Sequence, residues 1–209
     1  MSGAPDGALT AVSVFIELTD HLRCTAEHPE SFLVLVPDAM DGRLVVRGTL
    51  GCPVCHAEYP IVEGVVRFDR VRPPEAGQSL GVDPAALHAF LGIEGPGGFI
   101  ALIGRAAGHA EALAPLLPGV HIVAVNPPDG VLPTPRLSVL EAPRLPIKQR
   151  SLRGIVLGRP EAIEPAWQAD AIHSILPGLR AVGEGPIPTE PAFELLGSAE
   201  GWWVGRVKG

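Results

Sequence analysis

Apolar runs of two kinds divide the chain into unlike parts. Ser31 to Pro37 (SFLVLVP) and Arg43 to Leu50 (RLVVRGTL) are rich in β-branched and apolar residues, and the DAMDG between them ends in the turn signal Asp41-Gly42. That pattern predicts a two-stranded hairpin. Tyr59 to Phe68 (YPIVEGVVRF) supplies a third strand, with Gly64 permitting a bend. A polar, proline-containing stretch (RVRPPEAGQSLG) follows, and then a short helix: Asp83 as N-cap, Pro84 at the first helical position, Gly92 near the end. Its Ala86, Leu87, Phe90 and Leu91 form one apolar face for packing. Phe99 to Ile103 is a continuous apolar run of the buried-strand type, Gly104 to Gly108 a glycine turn, Glu111 to Leu117 a helix and His121 to Val125 the next strand. The order is that of a βαβ unit. Near the end, GWWVGRVKG predicts a closing strand, with Trp202 and Trp203 on opposite faces and the outward ring placed to anchor an interface. The expected organisation is a β-rich module over 1–70, a linker over 71–82 and an α/β domain over 83–209.

Composition sharpens this outline. Of 23 prolines, fourteen lie between Pro115 and Pro191, so the second half must be built from short elements and loops. The formal charge of -7 is spread along the chain, with ten acids against six bases in residues 1–72. No basic face is available to neutralise phosphates, which argues against direct nucleic-acid binding and for a protein partner or a small ligand. The apolar run near the N-terminus has no basic region before it, and Glu17 and Asp20 follow it, so it does not read as a signal peptide. No stretch approaches the roughly 20 apolar residues of a membrane span. Three cysteines in a chain without an export signal point to a reducing, cytoplasmic setting.

The cysteines carry the clearest chemistry. Cys24 and His28 are separated by three residues, Cys52 and Cys55 by two, and the predicted hairpin lies between the pairs. Two short-spaced donor pairs brought together by a hairpin satisfy a tetrahedral Cys3His zinc site, and four protein ligands leave no open position for a nucleophilic water. Such a metal is structural. Other readings of Cys52-Pro-Val-Cys55-His56 are a c-type haem anchor, a redox pair or two unligated buried thiols. For the fourth ligand, Glu27, His21 and His56 are alternatives to His28. Elsewhere the pattern is thin: His109 beside the glycine turn is expected to face solvent, and Asp170 with His173, at i, i+3 spacing, to form an exposed helix face.

The motifs C-P-x-C, Y-P-I and E-G-V in CPVCHAEYPIVEGVVRF, with ELTDHLRC ahead of them, resemble the small zinc-ribbon proteins that activate tRNA, rRNA and release-factor methyltransferases, together with their bacterial relatives. The resemblance covers about residues 14 to 70, and implies a bound zinc and docking by strand addition, for which Tyr59 to Val66 is the natural strand. The family usually has two cysteines in the first knuckle; here stand Cys24 and His28. Residues 98 to 209 resemble, weakly, a truncated Rossmann-like class I S-adenosylmethionine-dependent methyltransferase. LSVLEAPRLPIKQRSLRGIVLG is similar to its third and fourth strands, and SILPGLRAVGEG to a later turn and strand. The resemblance places the cofactor at Gly104, Ala106, Gly108 and Asn126. Against the family pattern, Leu102 stands where an acid precedes the glycine loop, Ala106 replaces its middle glycine, and Asn126 replaces the acid that accepts the ribose hydroxyls. The acid expected near Ser151 is replaced within Ser151-Leu152-Arg153. These departures imply a degenerate, non-catalytic domain, and the chain as a whole an interaction or adaptor subunit. An active methyltransferase and a purely structural subunit of a larger complex are the alternatives.

Overall fold

The computed structural model describes residues 13–68 and 80–209. The N-terminal module starts with a two-residue strand β1 (Val14–Phe15) and a single helical turn α1 (Ile16–Thr19), followed by strands β2 (Val34–Asp41), β3 (Leu44–Gly51), β4 (Glu58–Val62) and β5 (Val65–Arg67). The hairpin β2–β3 forms where expected, but its turn is shorter: Asp38 to Asp41 stay in β2, and the chain reverses at Gly42 (φ 56°) and Arg43. Pro37 has no N–H to give the ladder, and register shifts on either side of Ala39 take up the mismatch. The single bent strand expected over Tyr59 to Phe68 is instead the tight hairpin β4–β5. Glu63 (φ 50°) and Gly64 (φ 68°) turn it, the two positive-φ positions that a two-residue hairpin with right-handed strands requires.

The second part contains α2 (Pro84–Leu91), β6 (Phe99–Ile103), α3 (Ala110–Leu113), β7 (His121–Val125), β8 (Leu137–Glu141), β9 (Leu152–Leu157), α4 (Pro165–Ser174), β10 (Ile175–Glu184), β11 (Phe193–Ala199) and β12 (Trp202–Val207). Asp83 caps α2 by accepting the Ala85 N–H at 2.7 Å, and Gly92 ends it in the left-handed conformation. Every residue of β6 and β7 is buried, which is why β6 reads as an unbroken apolar run and β7 as one after His121. The helix expected from Glu111 to Leu117 is only one turn long. A 3-10 stretch over Gly104–His109 precedes it and another over Ala114–Leu116 follows, because Pro115 cannot continue an α-helical ladder.

Strands β8-β7-β6-β9-β10 run parallel, and β12 and β11 complete that side with antiparallel pairings. The order is that of a doubly wound α/β sheet, whose switch point lies between β6 and β9. The mixed α/β fold expected from the sequence is the one observed. Of the residues read as a linker, only Leu80, Gly81 and Val82 are described, and Leu80 is buried beside α2.

The two parts share one sheet. β5 pairs in parallel with β8, Val65 to Val139, Val66 to Leu140 and Arg67 to Glu141. The strand edge expected to receive a methyltransferase is therefore taken by the chain's own β8, a correction to the docking surface read from Tyr59 to Val66. The reason lies in the crossovers. No helix connects β7 to β8 or β8 to β9, so the face that such a helix would cover is covered by the N-terminal module instead. Leu22 bridges Ile147, the Arg23 N–H reaches the Pro146 carbonyl at 2.9 Å, and Leu18, Leu22, Tyr59 and Phe68 share a buried cluster with Leu140 and Ile147.

An aromatic cluster closes the same junction. Phe15 stacks on His121 at 4.8 Å, His21 lies 4.9 Å from Phe99, and the Phe15 N–H donates to Ser138 Oγ at 3.1 Å. Ser138 Oγ also lies 2.9 Å from His121 Nε2. The imidazole of His121 is buried. Burial, and then the charge of Arg136, lowers its pKa from 6.5 to about 4. Between those values the unfolded chain binds the proton and the folded one does not, so stability is full above pH 6.5 and falls as the pH drops toward 4. The expected loss is about 3 kcal/mol, measurable by urea denaturation at pH 7.5 and 4.5. A His121 resonance titrating near 6.5 in the intact fold would contradict this.

At the other end of the sheet the two tryptophans of β12 differ in burial. Trp203 is fully buried against Gly183 and edge-on to Phe193, and Trp202 packs on the opposite apolar cluster. Trp202, the ring on the face expected to point outward, is half-buried against that cluster. No helix among the described residues is long and apolar enough to cross a membrane.

Candidate functional site

Two sites stand on opposite faces of the sheet. On the face of Val66 and Leu140, the knuckle after Arg23 and the turn between β3 and β4 bring together Cys24, His28, Cys52 and Cys55, whose donor atoms all lie within 4.8 Å of one another. The first knuckle is closed by the Cys24 N–H on the Ser31 carbonyl, the second by the His56 N–H on the Cys52 carbonyl, with His56 left-handed at φ 61°. Cys24 Sγ and Cys55 Sγ are 3.6 Å apart, and Cys52 Sγ is 3.4 Å from His28 Nε2. A tetrahedral ion with metal–sulfur bonds of about 2.3 Å sets donor separations of about 3.8 Å, so the four groups can hold a metal ion with little movement. His28 Nδ1 lies 2.7 Å from the Pro29 carbonyl and donates to it, which leaves Nε2 as the acceptor facing the thiols, the orientation a ligating imidazole needs. That contact also raises the His28 pKa. Burial pushes the Cys52 thiol up, but the N–H groups of Cys55 and Val54 outweigh it and bring it down to about 6. Burial raises Cys24. Of the alternatives to His28, His21 packs on Phe99, and Glu27 and His56 are exposed.

On the other face, a cavity of about 410 Å³ opens beside the C-terminal ends of β6, β7, β8 and β9. Gly104, Asn126 and Glu161 line its floor, the loop from Pro127 to Pro133 lies over it, and Glu63, Val65 and Arg67 of the N-terminal module form one wall. Of the four expected cofactor residues, Gly104 and Asn126 reach this cavity. Ala106 is buried with its N–H against Gly158, and Gly108 abuts Pro128 outside the lining.

The two that reach it are engaged with the chain itself. Asn126, held at φ 49°, donates one amide hydrogen to the Ala142 carbonyl and the other to Glu161 Oε1, both at 2.9 Å, and its Oδ1 accepts the Ala142 N–H at 2.8 Å. Both donors are used and one acceptor position remains. Gly104, at φ 58°, has no room for a side chain because a Cβ there would run into Glu161 Oε2 and the Arg159 carbonyl. Next to it Arg105 pairs with buried Glu184, at 2.8 Å from Nε to Oε1, and Glu184 also accepts the Arg159 N–H. The residues present therefore fit S-adenosylmethionine poorly at the loop: a carboxylate of the protein covers Gly104, and Asn126, where the resemblance would place the ribose, has both donors engaged within the chain.

Glu161 and Glu184 carried no sequence signal, since their partners lie 35 and 79 positions away. Asp170 is a correction. Rather than lying on an exposed helix face it is buried, accepting Arg144 through two bonds of 2.8 and 2.9 Å and Arg23 at 2.7 Å, while His173 beside it is exposed. His109 is half-buried, and burial lowers its pKa.

No protein-family model and no curated protein matches the chain. Among solved structures it is similar to the antibiotic-resistance methyltransferase Kmr, at 13% identity and a TM-score of 0.43 over 65% of this chain and 98% of that one. It is also similar to a putative S-adenosylmethionine-dependent methyltransferase from Methanococcus maripaludis, at 11% identity and a TM-score of 0.44 over 60% of this chain and 83% of that one. A third similarity, at 17% identity and a TM-score of 0.39 over 48% of this chain and 50% of the other, is to a complex between the Haloferax volcanii Trm112 methyltransferase activator and a putative methyltransferase.

Proposed function

We propose that the chain is a non-catalytic, zinc-binding interaction subunit on a degenerate methyltransferase-like scaffold, with zinc held structurally by Cys24, His28, Cys52 and Cys55. The observation that carries the non-catalytic part is the engagement of Asn126: both of its donors and one acceptor position are bound within the chain. Freeing it for a ribose would take from the Ala142 peptide the side chain that satisfies both its N–H and its carbonyl, a cost of about 1–3 kcal/mol for each group. Methyl transfer depends on holding donor and acceptor in line, and a site that cannot grip the donor forfeits that contribution. With the β5 edge closed by β8, a protein partner would meet another surface, in the reducing cytoplasm and without direct contact to nucleic acid.

One observation favours a second reading, an active S-adenosylmethionine-dependent methyltransferase. The 410 Å³ cavity lies at the strand ends where ligands of α/β sheets bind, and Gly104 and Asn126 are in its lining. Calorimetric titration of the zinc-loaded protein with S-adenosylmethionine separates the two. The expected result is no heat of binding up to millimolar ligand. Micromolar affinity, about -8 kcal/mol, would overturn the non-catalytic reading.

A further inference from the structure

The chain has a single tyrosine, and its placement bears on the metal centre. Tyr59 stands in β4 opposite Leu50, is fully buried, and rests its ring on Phe68 with centroids 4.6 Å apart. Its hydroxyl passes beyond this apolar seat to lie 3.1 Å from Cys24 Sγ, and Thr25 Oγ1 donates to it from 3.4 Å. The second contact fills an acceptor position of the phenol oxygen, so the phenol's own proton is left for the sulfur. A metal-bound thiolate has no proton and can only accept, which fixes the direction of the bond and makes it charge-assisted. The Ala26 N–H approaches the same sulfur at 3.4 Å.

We infer that Tyr59 is a positioning residue of the metal centre: its hydroxyl, oriented by Thr25, donates to the Cys24 sulfur and holds that ligand in the orientation the ion needs. Nothing in the packing of β4 demands a hydroxyl there, since a phenylalanine would keep the contact with Phe68 and the burial. A buried phenol without an acceptor is costly, so the sulfur's charge and the hydroxyl's presence support each other. The inference rests on the zinc reading above.

The test compares the full-length protein with Tyr59→Phe. Metal content of the purified wild type comes first: one equivalent of zinc supports the metal centre, and its absence under metal-replete expression would sink that reading and this one together. Given a loaded wild type, competition against a chromophoric chelator is expected to show a 10- to 100-fold weaker hold on zinc in Tyr59→Phe, the usual scale for loss of a partner behind a ligand. Cobalt-substituted protein supplies a readout that packing would not move. Without the hydrogen bond the thiolate-to-metal charge-transfer band should shift to lower energy. Thr25→Val, which leaves β4 intact, should shift both readouts in the same direction by less. Unchanged affinity and an unchanged band in Tyr59→Phe, with the wild type loaded, would overturn the role of Tyr59 and leave the metal centre standing.

Discussion

Stripping the metal from the proposed Cys24–His28–Cys52–Cys55 centre should collapse far more than the module that holds it. Structural zinc contributes on the order of 10 kcal/mol to small modules of this kind, and the knuckles here have no disulfide to replace it. In an independent zinc module the damage would stop at residue 68. Here β5 is the neighbour of β8, and Leu18, Leu22 and Phe68 cover Leu140 and Ile147, so loss of the module exposes a buried face and a free strand edge of the α/β sheet. Addition of a strong chelator is expected to remove amide-exchange protection from β8 and β7 as well as from β3 and β4, in one transition. Cys52→Ser should reproduce it. Retained protection throughout the N-terminal module in metal-free protein would end the structural-zinc reading, and protection lost only there would show that the two parts stand alone.

That coupling was the least legible feature in the sequence. Periodicity and caps identified β6, β7 and α2 to the residue, because strands buried on both faces and a helix framed by Asp83 and Gly92 are set by local chemistry. Cysteine and histidine spacing brought out the metal cluster for the same reason: each knuckle is a local turn. What the pattern could not reveal was where the hairpin's edge goes. Val65 to Arg67 look alike whether they pair with a partner's strand or with β8, more than 70 residues on, and only the absence of covering helices around β8 favours the internal choice. Glycine and proline misled in a consistent direction. Gly64 permits a bend but serves a reversal, and Pro115 ends the α-helix short of Leu117.

The cavity shows the complementary failure. Its departures from a cofactor-binding pattern, Leu102, Ala106 and Asn126, were visible as residue types. Which groups took the vacated roles was not, since Glu161 reaches Asn126 and Gly104 across the sheet's end from the loop after β9. An asparagine in place of an acid at a strand end does not by itself abolish binding. What the residue type does not show is that both of its donors go to Ala142 and Glu161, and that is a property of the fold.

The second large effect is expected at Asp170. Its carboxylate accepts Arg23 and Arg144, and Arg23, with a side chain only 13% exposed, directly precedes Cys24 and also donates to the Leu145 carbonyl. Asp170→Ala would leave two guanidinium groups without their anion, one of them buried at the junction of α4 with the N-terminal module. Breaking such a pair from one side costs roughly 3–5 kcal/mol, because the remaining charge stays out of water. Arg144, 40% exposed, can recover part of its hydration, which holds the expected loss to the lower part of that range. The exposed pair between Arg206 and Glu194 supplies the scale: at 47% and 43% exposure, Glu194→Ala should cost less than about 1 kcal/mol. Urea midpoints of the two variants, measured at pH 7.5 where His121 is neutral, give the comparison directly. Equal and small shifts would mean that the Asp170 triad is solvated and does not clamp the junction. A large shift for Asp170→Ala alone would make the carboxylate on α4 the charge that fixes Arg23, and with it the first knuckle, against the α/β sheet.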